Sequence, residues 1–193
     1  RVLPMDDRGI ERVNAALAGR PDLMAGRTSL TLHSGMKDMS ENVFLNIKNK
    51  SVTIVADVEV PAGGGEGVIL AQGGRFGGWS LYLKDGKPTY SYNYLGMQRS
   101  SVTAQDPLPA GKATVRLEFA YDGGGMGKGG VGTLYVNDQQ VGSGRIERTQ
   151  AMIFSADETA DVGIDGATPV VEDYRTPRGQ FSGKIGKVTV SVH

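Results

Sequence analysis

From residue 29 onward the apolar positions recur every second residue. Between Ser51 and Val60, Val52, Ile54, Ala56, Val58 and Val60 fall on one face, and Thr53, Asp57 and Glu59 on the other, with Val55 the exception. That alternation is the pattern of a half-buried strand. Trp79, Leu81 and Leu83 alternate with Ser80, Tyr82 and Lys84, and Tyr90, Tyr92 and Tyr94 share one face of the following run. Val115, Leu117, Phe119 and Tyr121 lie opposite Thr114, Arg116 and Glu118, and Val188, Val190 and Val192 close the chain against Lys187, Thr189 and Ser191. Turn residues separate these runs: Pro61-Ala62-Gly63-Gly64-Gly65, Asn137-Asp138, and Asp85-Gly86, the strongest hairpin signal in the chain. The spacing predicts about ten to thirteen short strands. One apolar face per strand predicts antiparallel sheets that are each wet on one side, two of which cover each other. The fold expected is therefore all-β, a two-sheet antiparallel β-sandwich of jelly-roll type. The 29 glycines agree with many tight turns.

Residues 1–26 read differently. Ile10, Val13 and Leu17 stand at helical spacing after an acidic start at Asp6-Asp7, and Ala18-Gly19-Arg20-Pro21 breaks the pattern. The chain divides into an arm over 1–26, predicted to hold one or two helical turns and to lie against something else, and a sandwich over 27–193. Its start, Arg1-Val2-Leu3-Pro4, is neither a signal peptide nor an initiator methionine, which suggests a chain beginning inside a larger protein.

Charge narrows the partners. The 21 basic and 21 acidic residues balance, and no long block of like charge occurs. This argues against a nucleic-acid groove and against a polybasic membrane patch, and no apolar run approaches a membrane span. Cysteine is absent, so disulfides, thiolate metal sites and cysteine nucleophiles are excluded.

Several motifs compete with plain structural readings. Gly125-Met126-Gly127-Lys128-Gly129-Gly130 fits G-x-G-x-x-G but lies between two strands and opens no helix, so it reads as an inter-strand loop with Lys128 at its tip. The two histidines, His33 and the terminal His193, offer too little for a zinc site or a Ser-His-Asp site. Ser155-Ala156-Asp157-Glu158-Thr159-Ala160-Asp161, with Asp122 as a further oxygen donor, could hold calcium. A solvated acidic turn, or carboxylates capping backbone N–H groups, is the favoured reading, and no cofactor is expected. Arg75, between Gly73-Gly74 and Gly77-Gly78, either holds an anion such as sulfate or carboxylate, or pairs with an acid of this or a neighbouring domain. Trp79 alternates in phase with Leu81 and Leu83 and reads as core. Tyr90, Tyr92 and Tyr94 suit either a core edge or a sugar-stacking platform on a concave sheet.

Four runs carry a family resemblance: Asn46-Ile47-Lys48-Asn49-Lys50-Ser51, the stretch Gln72 to Tyr82, Phe119 to Gly125, and Phe154 to Thr159. Together they resemble the C-terminal region of large bacterial arylsulfatases, and Asp6-Asp7-Arg8 with Glu11-Arg12 resembles the segment joining that region to the catalytic domain. The resemblance implies a concanavalin- or laminin-G-like jelly roll that is not itself catalytic. It would pack on the sulfatase catalytic domain of the same polypeptide, shape its pocket or mediate homo-oligomer contacts, with Arg75 and Lys128 at the rim. No C/S-x-P-x-R motif is present, so no catalytic or metal residue carries over. The alternative is a carbohydrate-binding module of lectin-like fold, using Tyr90, Tyr92 or Tyr94. A glycosidase on the same fold is weaker, since no strand-borne E-x-D-x-x-E pattern occurs.

Overall fold

The computed structural model describes residue 19, residues 21–155 and residues 157–193. The helical turns expected between residues 6 and 17 lie outside the described residues. Eleven strands follow in chain order: β1 Ser29–His33, β2 Val52–Val60, β3 Gly67–Gly74, β4 Gly77–Lys84, β5 Lys87–Tyr94, β6 Gln98–Thr103, β7 Gly111–Tyr121, β8 Gly130–Val136, β9 Gln139–Ile146, β10 Ala160–Val162 and β11 Lys184–Val192. They form a six-stranded sheet in the order β1-β11-β2-β7-β8-β9 and a five-stranded sheet in the order β10-β3-β4-β5-β6. Every pairing is antiparallel. The two-sheet antiparallel sandwich expected from period-two alternation is the fold.

The alternation on β2 is kept residue by residue: Val52, Ile54, Ala56, Val58 and Val60 are buried, and Thr53, Val55, Asp57 and Glu59 face outward. They meet Leu117, Val115 and Phe119 of β7, and Val188 and Val190 of β11, in one core between the sheets. From the smaller sheet that core receives Trp79, Leu81, Leu83, Leu70 and Ile69. A bulge on β3 between Val68 and Leu70 accounts for Ile69 and Leu70 both reaching it. Two hairpins are closed by residues in the left-handed region, Asp85-Gly86 between β4 and β5 and Asn137-Asp138 between β8 and β9. Asn, Asp and Gly are the residues that tolerate it.

One expectation fails. The smaller sheet has no wet side over β3, β4 and β5; its edge strand β6 keeps exposed residues, Ser101 and Thr103 among them. Strands β3, β4 and β5 are buried almost throughout on both faces, including Ser80, Thr89, Ser91 and Asn93. The cover is an irregular strap over residues 163–181. Its Val170, Val171 and Tyr174 pack on Val68, Ala71 and Tyr82 in a second apolar cluster, with Tyr174 edge-on to Tyr82 at 5.2 Å. Most polar outer residues of β4 and β5 find partners beneath it, although the buried Ser80 hydroxyl has none. The Tyr82 hydroxyl lies 3.1 Å from Ser91 Oγ and donates to Asp173 at 3.1 Å, and Lys84 pairs with Asp173 at 2.5 Å.

Candidate functional site

The tyrosine row is not an exposed platform. Tyr90 and Tyr92 are 4% and 5% exposed, in the core between the sheets. The pairing explains why: Trp79 stands opposite Tyr92, and Leu81 opposite Tyr90. The tyrosines therefore share the inward face of the tryptophan, with Trp79 and Tyr90 ring centres 6.4 Å apart. The Tyr92 hydroxyl accepts the backbone N–H of Gln150 at 2.7 Å, and burial pushes both phenols well above their ordinary range. Tyr94 packs half-buried at the core edge.

Arg75 sits at the tip of the β3–β4 hairpin and pairs with Glu172 of the strap at 2.8 Å, both side chains about half exposed. Its flanking glycines serve backbone packing: a Cβ on Gly73 would stand 2.2 Å from the Gly77 carbonyl oxygen, and one on Gly77 would stand 2.3 Å from the Gln150 side chain. Lys128 is exposed in a loop that is firmly built. The Lys128 N–H donates to the Tyr121 hydroxyl at 2.9 Å, that hydroxyl donates to the Gly125 carbonyl at 2.6 Å, and Asn49 accepts the Gly127 N–H at 2.8 Å.

The acidic residues considered for calcium point to different partners. Glu158 accepts the Thr168 hydroxyl at 2.7 Å and its N–H at 3.2 Å. Asp161 accepts the Asp38 N–H at 2.7 Å. Asp122 forms a two-pronged pair with Arg145, and the hydrogen bonds from that guanidinium lower its carboxyl pKa. Among the described residues no group of three or more His, Cys, Asp or Glu side chains is arranged to hold a metal ion.

With the smaller sheet capped, the outer face of the six-stranded sheet is the open one. Register lines its residues into rows across the strands. One row runs Ser29, Ser191, Thr53, Glu118, Thr133 and Ser143. The next runs Thr31, Thr189, Val55, Arg116, Tyr135 and Gln140. Facing hydroxyls couple along the rows, Ser29 to Ser191 at 3.2 Å and Thr133 to Ser143 at 3.2 Å, and Thr53 meets His193 at 2.9 Å.

At the centre the Arg116 guanidinium stacks over the Tyr135 ring, 4.0 Å from its centroid. It is paired with Glu118 and stands 3.6 Å from Asp138. Arg116 keeps a quarter of its side chain exposed and Glu118 two fifths, so both remain reachable. Alongside lies a groove of about 590 Å³ lined by Asp57, Glu59, Lys112, Thr114, Asn137 and Lys184. Charged forks, hydroxyls and a ring edge on a flat sheet suit a ligand rich in hydroxyl groups.

Thr114, Arg116 and Glu118 were legible as the polar side of a strand. Tyr135 joins them only through the β7–β8 register, which the strand pattern does not carry.

No family model matches the sequence, and no curated protein matches it. Solved structures do. The chain is similar to the CBM40 domain of the Ruminococcus gnavus IT-sialidase bound to α2,6 sialyllactose, at 13% identity and a TM-score of 0.57, over 84% of this chain and 91% of that one. It is similar to a leech intramolecular trans-sialidase, at 11% identity and a TM-score of 0.51, over 86% of this chain and 25% of that one. It is also similar to the LG1-3 region of the laminin α2 chain, at 13% identity and a TM-score of 0.50, over 86% of this chain and 30% of that one. At these identities the likeness shows the fold.

The expected relation to arylsulfatase C-terminal regions is overturned, because the structures that match are sialidase carbohydrate-binding modules and laminin G domains. The sulfatase catalytic domain loses its support as a partner with it. The glycines of the run that carried the resemblance have a structural explanation: two strands of the smaller sheet meet there at a hairpin with no room for a Cβ at Gly73, Gly74, Gly77 or Gly78.

Proposed function

We propose that this chain is a carbohydrate-binding module whose ligand lies on the open face of the six-stranded sheet, over Arg116, Glu118 and Tyr135 and toward the groove at Thr114 and Lys112. The observation that carries the reading is the stacked Arg116–Tyr135 pair on the one sheet face that the strap leaves bare. Pyranose rings offer an apolar face for a tyrosine edge and hydroxyls for carboxylate and guanidinium forks. The matching domain of the R. gnavus IT-sialidase is bound to sialyllactose. An acidic sugar of that type would give Arg116 a carboxylate to hold in competition with Glu118.

Titration by calorimetry with α2,3- and α2,6-sialyllactose and with lactose tests this. Binding of a sialylated ligand is expected, and Arg116→Ala and Tyr135→Ala should each weaken it about tenfold or more, the usual weight of a charged fork or a stacked ring in a small site. Flat titrations across a glycan array, or binding indifferent to both substitutions, would sink the proposal.

A further inference from the structure

Eight large apolar side chains are exposed among the described residues; Leu23, Met36 and Val131 aside, five remain: Met97 at 79% exposure, Phe76 at 72%, Met126 at 68%, Met152 at 66% and Leu95 at 45%. All five sit on loops at one end of the sandwich, where β5, β7 and β9 finish and β4, β6 and β8 begin. The loops adjoin. A Cβ on Gly96 would stand 3.0 Å from the Arg75 carbonyl oxygen and 3.8 Å from Phe76 Cα. Gly77, next to Phe76, abuts Gln150, and Gly127, next to Met126, abuts Ala151. The result is a crest running from Met97 and Leu95 through Phe76 to Met152 and Met126.

Folding also gathers cations that the sequence scatters. Arg99, Lys128 and Arg148 are exposed on or beside these loops and enter no ion pair among the described residues, although Arg99 Nε donates to the Val170 carbonyl at 3.2 Å. Of the carboxylates nearby, Asp122 and Glu147 share Arg145, at 2.5 and 3.6 Å, and Glu172 pairs with Arg75, while Asp157 stands exposed.

A second observation points the same way. Leu95 holds φ +54°, the left-handed region that strains a side chain of this kind and suits Asn or Gly. Both its backbone and its solvent exposure disfavour leucine, so stability of the free domain does not account for the residue.

We propose that this crest docks onto the surface of an anionic phospholipid bilayer. Tips this exposed make few contacts with one another. They form separate prongs rather than the flat self-complementary patch that a second copy of the chain would need. A bilayer takes such prongs one by one into its interface, and its negative headgroups complement Arg99, Lys128 and Arg148. The groove on the six-stranded sheet opens at the opposite end, at Glu59, Lys112 and Lys184, so docking leaves it clear.

The test is co-sedimentation of the full chain with vesicles of phosphatidylcholine alone or with about a third phosphatidylserine. Binding is expected to the phosphatidylserine vesicles and to weaken with salt. The double variant Phe76→Ser/Met97→Ser should lower partitioning about tenfold or more, and Lys128→Glu/Arg148→Glu should lower it as well. Leu95→Asn should weaken partitioning while raising Tm by about 2–4 °C, which separates a surface role from a folding defect. The proposal fails if phosphatidylserine adds nothing, or if the apolar substitutions leave partitioning unchanged. It also fails if sedimentation velocity shows a dimer that Met97→Ser dissociates while vesicles go unbound.

Discussion

Asp165 is 2% exposed and has no cationic partner among the described ion pairs. It accepts the Tyr174 hydroxyl at 2.5 Å and the Val170 N–H at 2.8 Å, and so fastens both ends of the strap's apolar stretch. Burial pushes its pKa up from 3.8 to about 6; those two donors pull it down, and the charges of Asp161 and Glu158 add to the rise. The folded chain thus holds this proton more tightly than the unfolded one. The stabilisation is present in full below pH 3.8 and is lost as pH rises through 6. Its size is of order 3 kcal/mol, about two pKa units at 1.36 kcal/mol each. Asp165→Asn removes the titration. Thermal melts from pH 4 to pH 7 should show the variant gaining on the wild type as pH rises; curves that stay parallel would show that Asp165 does not titrate in this range.

The strap over 163–181 has little regular structure, so it is fastened by side chains rather than by a ladder. Asn93, fully buried on β5, is one fastening. Its amide nitrogen lies 2.9 Å from the carbonyl oxygens of Gly74 and Arg75 and 3.3 Å from that of Val170, and its oxygen accepts the Gly96 N–H at 3.0 Å. One side chain thereby joins the β3–β4 turn, the β5–β6 turn and the strap. Asn93→Ala leaves those buried groups unpaired and should cost about 1–3 kcal/mol for the groups stranded. Faster amide exchange over 163–181 than over β2 and β7 should accompany the loss, and a uniform change would argue against a local fastening.

The strap marks the limit of reading elements from the sequence. Strands β2, β7 and β11 declare themselves because one face is core and the other water. Val170, Val171 and Tyr174 carry no period. The residues on the face they cover, Ser91 and Asn93 among them, are polar, so a face buried through hydrogen bonds reads in sequence as a wet one.

Across the whole molecule, the proposed binding face depends on which outer sheet surface is open, and that is set by long-range placement. The inward phase of Tyr90 and Tyr92 could be traced through the Asp85-Gly86 hairpin to Trp79. The meeting of Arg116 with Tyr135 requires the β7–β8 register across a glycine loop, and the crest requires four loops to arrive at one end. The two proposed surfaces lie apart. Arg116 is five positions from the end of β7 at Tyr121, about 17 Å along the strand at ~3.3 Å per residue. Substitutions that far apart, with no shared partner, act independently to within about 0.5 kcal/mol. Phe76→Ser/Met97→Ser should therefore keep wild-type affinity for sialyllactose, and Arg116→Ala should keep wild-type partitioning onto phosphatidylserine vesicles. Calorimetry and co-sedimentation on the same two proteins read both quantities. If either variant lost both activities while its melt stayed unchanged, the sheet face and the crest would be parts of a single site.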